Sequence, residues 1–439
     1  MARAMKDPGI EWIGEVPVGW EIGRLKDIKS ADSYAIVDGP FGTAISTSDY
    51  VDTGTPLVRI VNLNGDELSV DNLVFITNEH AQKLLRSKFY KGDIIFAKTG
   101  ATVGKCAING NIEEGILSSS CVKIQIADNH YNRYFYYFFS TKQFNKALRM
   151  ACNGTTRDTI NLKPFSCLNC PIPPINQQHI IADFLDTECA RIDAVIEQTR
   201  TSIEEYKKLK QSVITEAVTK GIRPGRRMVN SGVDWLGQIP DDWAVFRIAN
   251  LYDERNERGT EDLPILTVSI NTGISDHEIP DEEKDRVVVR SEDRTLYKRV
   301  CPGDLAYNMM RAWQGAFGAA RVDGMVSPAY VVAKPKTPGI LDSRYVEALL
   351  RTPSAIEEMH RYSRGITDFR LRLYWPEFKN ICVCVPSIKE QIEIADYIDA
   401  KAAEIDALIQ KKQQFLVELE SYKKSLIFEY VTGKKEVPV

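Results

Sequence analysis

The chain lacks most of the features that would commit a protein to chemistry of its own. Its 439 residues contain no apolar run of the length a membrane-spanning helix needs. The opening Met-Ala-Arg-Ala-Met-Lys-Asp has no apolar core of the secretory type. Histidine is scarce, and His80, His130, His179, His277 and His360 form no spaced cluster. Lys105 of the glycine-containing stretch Thr99–Lys105 is followed by Cys106, not Ser or Thr, which excludes a Walker A loop. The stretch Asn169–Pro174 lacks the aromatic that clamps a flipped base in adenine methyltransferases. No nuclease-type set of carboxylates and lysine stands out. No catalytic residue and no cofactor are therefore expected.

Disulfides and metal are equally unpromising. Nine cysteines, an odd number at irregular places, argue for reduced thiols and a cytoplasmic protein. Cys167-Leu-Asn-Cys170 has the spacing of half a zinc site, but no second pair accompanies it. Buried thiols are the expectation, with no metal. A net charge of −4 also withholds the overall basic signature of a nucleic-acid binder. Any such function must rest on local basic surfaces, with the acid placed elsewhere.

What is present is a repeat. Trp12-Ile-Gly14-Glu-Val-Pro17-Val-Gly-Trp20 returns as Trp235-Leu-Gly237-Gln-Ile-Pro240-Asp-Asp-Trp243, 223 residues later. Gly92-Asp93 matches Gly303-Asp304, and Arg133-Tyr134 matches Arg344-Tyr345, at an offset of 211. Ile181-Ala-Asp183 matches Ile394-Ala-Asp396, and Asp186 matches Asp399, at 213. The ends of each half match well and the middles diverge. This predicts one pseudo-two-fold scaffold carrying two different inserts. The duplicated tryptophans read as packing anchors.

Each half closes in a helix, roughly 177–220 and 389–432, free of Gly and Pro, preceded by Pro174 or Pro386 and followed by Gly221 or Gly433. Ile192, Val195, Thr199, Ile203, Tyr206, Leu209 and Val213 in the first, and Ile405, Leu408, Phe415, Leu419, Tyr422 and Leu426 in the second, read as coiled-coil seams. Acid concentrates in the front of both helices and lysine behind, so antiparallel pairing sets acid against base. The middles read as mixed α/β. Strands are expected at 57–63, 93–97, 121–126, 264–270, 304–308 and 330–334. Helices are expected after Thr77-Asn78, at 132–150 and at 343–362. The boundaries are 1–176 for the first opening and domain, 177–221 for its helix, 222–388 for the second domain and 389–439 for the last helix.

The chain resembles the specificity subunit of type I restriction–modification systems over essentially its full length. The resemblance rests on the paired Trp-(Ile/Leu)-Gly-x-(Val/Ile)-Pro-x-x-Trp openings, Asp38-Gly-Pro-Phe-Gly42, Thr99-Gly-Ala-Thr-Val-Gly104, Pro302-Gly-Asp-Leu305, Met310-Arg-Ala-Trp-Gln-Gly315, Val326-Ser-Pro-Ala-Tyr330 and the long helices. It implies a mixed α+β fold of two globular target-recognition domains joined by two long antiparallel helices that form a coiled coil. Each domain would read one half of a bipartite, asymmetric site in double-stranded DNA. The helices would dock methyltransferase (modification) subunits, two of them, and restriction subunits with translocase and nuclease would join that complex. A helix of 44 residues spans roughly 65 Å, or at most about 19 base pairs. Domains reading one face of a duplex prefer half-sites about 10 base pairs apart.

The candidate DNA contacts lie in the divergent middles, where loops sit on a rigid scaffold. Lys98, Thr99, Thr102 and Lys105 form a loop of hydroxyls, lysines and glycine suited to phosphate; the competing reading is a tight turn between strands. Asn308, Arg311, Trp313 and Gln314 hold the equivalent position in the second half. Arg pairs with guanine, and Asn and Gln with adenine; the competing reading has Trp313 in the core and Arg311 as a surface cation. Thr155 and Arg157 stand opposite Thr367 and Arg370 just before each helix, and Arg157 is equally suited to a loop-ordering pair with Asp158. Ser46 and Ser48 form a further candidate loop, or a solvated turn. Two other function classes fit less well: a coiled-coil scaffold presenting two ligand-binding modules to proteins, and a single-chain methyltransferase.

Overall fold

The computed structural model describes residues 3–42, 44–153, 158–260, 262–270, 273–278, 296–366 and 370–438. The chain divides into two compact units, one of Met1–Thr199 with Gln414–Val439 and one of Arg200–Gln413. Each is a mixed α/β unit. Among the described residues no helix is long and apolar enough to cross a membrane.

Each unit is built on a four-stranded antiparallel sheet. In the first the order is Cys106–Ile108, Ile94–Ala97, Cys121–Ile124, Ile36–Asp38. In the second it is Phe317–Ala319, Leu305–Asn308, Tyr330–Pro335, Tyr252–Glu254. The central strand Ile94–Ala97 is buried along its whole length, as a strand covered on both faces must be. The expected strand at 57–63 is shorter, Thr55–Val58, and the one at 264–270 shrinks to Val268–Ser269.

Both expected middle helices are in fact pairs. Residues 132–150 form Asn132–Ser140 and Lys142–Met150, and residues 343–362 form Ser343–Leu350 and Pro353–Tyr362. The cause is a duplicated threonine at the break. The Thr141 hydroxyl accepts from Phe144 N and the Thr352 hydroxyl from Ala355 N, so each caps the second helix of its pair. In the first unit the aromatic helix Asn132–Ser140 buries Phe135, Phe138 and Phe139 against Phe96, Phe144 and neighbouring aliphatics.

The long helices run Ile175–Lys220 and Ile388–Val431. Each ends at a glycine in the left-handed region, Gly221 (φ 76°) and Gly433 (φ 69°). Within the first unit Lys423 Nζ donates to Asp193 at 2.7 Å, and Phe184 packs on Tyr430 with centroids 4.6 Å apart. Within the second, Lys210 Nζ donates to Asp406 at 2.6 Å and Lys412 lies over the Tyr206 ring. Partner numbers fall as the first helix's numbers rise, so the pairing is antiparallel in each unit and sets lysine against acid. The seam is narrower than expected. Ile192, Ile196, Thr199 and Ile203 are buried, in steps of four, three and four. Val195 (40% exposed), Leu209 (48%), Leu408, Phe415 and Tyr422, expected in the seam, are open instead. A helix pair buries one stripe on each helix, and these residues face away from it.

The duplicated openings lock onto these helices. Trp20 is buried, and its indole N–H donates to Gln177 Oε1 at 2.7 Å, with Arg3 Nη2 donating to the same atom. In the second unit Glu390 takes the place of Gln177 and accepts from Arg226, which lies over the Trp243 ring. The indole N–H of Trp243 is buried without a partner. Deeper in, Tyr134 donates to Val431 O at 2.7 Å, and its twin Tyr345 to Val218 O at 3.1 Å. These contacts make the tryptophans anchors of the scaffold. Cys170 sits buried in the strand Asn169–Ile172, where burial pushes its thiol up, while Cys167 is exposed.

Candidate nucleic-acid interface

In the first unit the strand Ile94–Ala97 delivers Lys98 and then a turn, Gly100–Thr102, none of whose residues is buried. Lys98 O accepts from Ile160 N at 3.1 Å, Thr99 bridges to Thr159, and Gly100 N donates to Asp158 O at 2.8 Å. The loop 98–105 and the hairpin closed by Asn153 and Thr159 thus form one edge. The Lys98 ammonium is not free on that edge: it pairs with Asp38 and is largely covered. Lys105 is exposed, its nearest partner a long contact to Asn64 Oδ1 at 3.4 Å. Thr102 is exposed, and Gly104 holds a left-handed φ of 91°.

The second unit builds the same edge from different side chains. Strand Leu305–Asn308 delivers Asn308, whose side chain accepts from Met310 N at 2.9 Å. A turn Ala312–Gln314 follows, closed by Gly315 at φ 90°. Leu373 N donates to Met309 O at 2.9 Å, which is the twin of the Ile160–Lys98 bond. Arg364 and Arg372 exchange two backbone bonds, each 2.9 Å, as Asn153 and Thr159 do. Between those pairs the sequence has residues 154–158 in one unit and 365–371 in the other, five residues against seven. The repeat's step from an offset of 211 to 213 is therefore two residues inserted between these pairs.

On this edge Arg311 is half-buried, and among the described residues no carboxylate lies within ion-pairing distance of it. Burial pushes the Tyr330 hydroxyl up, and a hydrogen bond from the Asn308 side chain and then the Arg311 charge oppose it. Gln314 is exposed. Trp313 is only partly buried; its N–H donates to Met310 O at 3.0 Å and its ring meets His360 edge-on at 5.6 Å. The core position that was its alternative is not where it sits. Arg370, between the paired Arg364 and Arg372, is exposed. Thr155, Arg157 and Thr367 lie outside the described residues.

Ser46 and Ser48 bond within their own turn. Ser46 donates through its amide (2.6 Å) and hydroxyl (2.9 Å) to Asp49, and these bonds hold the Asp49 carboxyl below the usual aspartate range. That is the geometry of a capped, solvated turn.

One basic surface escaped the sequence reading. The helix Lys142–Met150 buries Phe144 and Leu148 and exposes Lys142, Lys146 and Arg149 on the opposite side. It contains no acidic residue. Arg149 Nη2 donates to Ala101 O at 2.7 Å, which joins this face to the loop 98–105. Basic residues at i, i+4 and i+7 without an acid among them were the available signal. The aromatic run just upstream drew the reading towards core instead.

Residues 17–205 match the family model described as the type I restriction modification DNA specificity domain. A protein described as a putative type I restriction enzyme MjaX specificity subunit, from Methanocaldococcus jannaschii, is 25% identical over 443 residues, covering 97% of this chain and 96% of the relative. The type I restriction enzyme EcoKI specificity subunit of Escherichia coli K12 is 22% identical over 433 residues, covering 96% and 90%. A chain from a structure of type I R-M system assembly and conformational transition matches with TM-score 0.67 and 16% identity, covering 96% of this chain and 99% of that one. The HsdS subunit from Thermoanaerobacter tengcongensis matches with TM-score 0.55 and 16% identity, covering 96% and 98%. At such identity the structural likenesses speak for the fold.

Proposed function

We infer that this chain, which belongs to the specificity subunits of type I restriction–modification systems, reads a bipartite DNA site and leaves catalysis to its partners. One observation carries the reading of the two edges. The same backbone bonds, Ile160 to Lys98 and Leu373 to Met309, hold two edges whose side chains differ and whose stretches between the paired residues differ in length. A scaffold that keeps its bonds while varying its exposed groups suits recognition of two different half-sites. Arg311 and Gln314 read base edges in the second half, and Asn308, bonded to Met310 N, holds the turn that carries them. Lys105, Thr99, Thr102 and the Lys142–Arg149 face hold phosphates in the first. Lys98 acts through Asp38 to fix the loop.

The open apolar residues of the long helices, Val195, Phe415 and Tyr422 in one unit and Leu209 and Leu408 in the other, suit docking of modification subunits. Restriction subunits would join that complex. Free cysteines fit a cytoplasmic setting.

Methylome sequencing of a host carrying this chain with its modification subunit tests the reading. The expected result is one asymmetric bipartite motif with half-site centres about 10 base pairs apart. A single contiguous motif sinks it. Exchanging residues 30–171 for the same segment of another such chain should change one half-site and spare the other.

A further inference from the structure

The two units differ at one place where the repeat makes comparison direct. Beneath each reading domain an arginine clamps the domain's helix to the long helix. In the first unit Arg133 Nε donates to Asp186 at 2.7 Å. In the second, Arg344 Nη1 meets Asp396 at 2.8 Å and Asp399 at 3.1 Å.

The space beside the clamp is treated differently. In the first unit Tyr136 and Tyr137 fill it and flank the guanidinium, their rings 5.2 and 5.0 Å from it. The Tyr137 hydroxyl donates to Asp186 at 2.6 Å and the Tyr136 hydroxyl to Asp66 at 2.7 Å. In the second unit the repeat puts Glu347 and Ala348 at these positions. A cleft of about 650 Å³ opens there, with both residues on its wall. Asp399, the twin of Asp186, also lines it, and so does Ile409, the twin of the buried Ile196. Five cations line this cleft against three carboxylates. Among the described residues Arg321 has no carboxylate partner within ion-pairing distance.

We propose that this cleft is a socket for an aromatic, hydroxyl-bearing side chain of a modification subunit, flanked there by an acidic residue, in the second half alone. The chain itself shows what fits: its own Tyr137 takes this position in the first half, with its hydroxyl on the helix carboxylate. Lys207, Lys210, Arg344 and Arg351 are already ion-paired. It is the exposed Arg321, which among the described residues makes no ion pair and acts on Glu347 only through its field, that calls for the acidic neighbour. The two halves are thereby made unequal to a partner at this place. The proposal rests on the functional reading above.

The test uses the full chain and its purified modification subunit. Stepwise assembly is followed by native mass spectrometry, and DNA affinity of the assembled complex is measured in parallel. In Ala348→Tyr the phenol occupies the cleft as Tyr137 does. One of the two binding steps should weaken at least tenfold while the other and the chain's unfolding curve stay unchanged. Arg321→Glu, at an exposed position whose charge acts on the buried Glu347, should weaken the same single step in a chain whose unfolding curve shows it folded. Both steps unchanged in Arg321→Glu and in a folded Ala348→Tyr overturns the socket, as does equal weakening of both. Intact assembly with lost DNA affinity assigns the cleft to DNA and also overturns it. A wild-type chain that binds no modification subunit overturns the functional reading itself, and does so before any variant is made.

Discussion

The amide of Ile160 donates to the carbonyl of Lys98 at 3.1 Å, and Leu373 repeats the bond on Met309 at 2.9 Å. Sixty-two residues separate the partners in one half and sixty-four in the other. The two extra residues fall between the paired Arg364 and Arg372. The bond therefore fixes where the frame shared by the two halves stops and the part in which they differ begins.

Arg311→Ala should cost about 1–3 kcal/mol of discrimination at one base pair of the second half-site. The first half-site should be read as before. Binding to a panel of single-base variants measures both. An equal loss at both half-sites would remove Arg311 from base reading.

Replacing Lys142, Lys146 and Arg149 by Ala should weaken binding to all sequences alike. The slope of log affinity against log salt should fall by about 0.9 for each phosphate no longer neutralised. Base preference should not move. A titration from low to moderate salt gives the slope directly.

Tyr134→Phe strips a donor from the buried carbonyl of Val431, and Tyr345→Phe does the same to Val218. Each should cost about 1–3 kcal/mol of stability. The DNA motif should be unchanged. Urea unfolding of each variant checks the cost, and methylome sequencing checks the motif.

Lys123 and Asp93 form a buried pair at 2.7 Å, and burial pushes the Asp93 carboxyl up. Lys123→Met leaves that carboxyl alone and should cost about 3–5 kcal/mol near neutral pH. The sign of its pH dependence follows from the raised value. The folded variant holds the Asp93 proton more tightly than the unfolded chain does. The cost is therefore smallest below the ordinary aspartate range and grows as pH rises through it to the raised folded value. Unfolding curves across that window should show the gap between variant and wild type widening with pH.

The long helices were legible because nothing in them breaks a helix and a glycine ends each one. The mixed α/β sheets were legible in their central strands, where apolar runs are continuous. The breaks at Thr141 and Thr352 were hidden, since helix-forming residues continue on both sides and only a hydroxyl marks the cap. The coiled-coil seam was overdrawn because apolar periodicity does not say whether a stripe faces the chain's own helix or open space. In the second half the buried carboxylate Asp304 is kept, but its cation is Arg255. Val332 stands in register where Lys123 would be, and Arg255 N bonds to its carbonyl. The cation has changed places with an aliphatic residue across neighbouring strands, and no local pattern announces that. Lys98 looked like a phosphate ligand because its partner Asp38 is sixty residues away.

The split of the first unit into 1–199 and 414–439 has a consequence for synthesis. A ribosome polymerises all of residues 200–413 before it adds Val431, so the sequence of the second unit is complete while the first still lacks the end of its last helix. At roughly 5–20 residues per second the wait between residue 199 and the last turn of the final helix is about 10–50 s. Through that interval Tyr134 has no Val431 carbonyl to meet, and Phe184, which packs on Tyr430, has no cover. The unit that is begun first is completed last, and the nascent chain carries that unfinished apolar face throughout the interval.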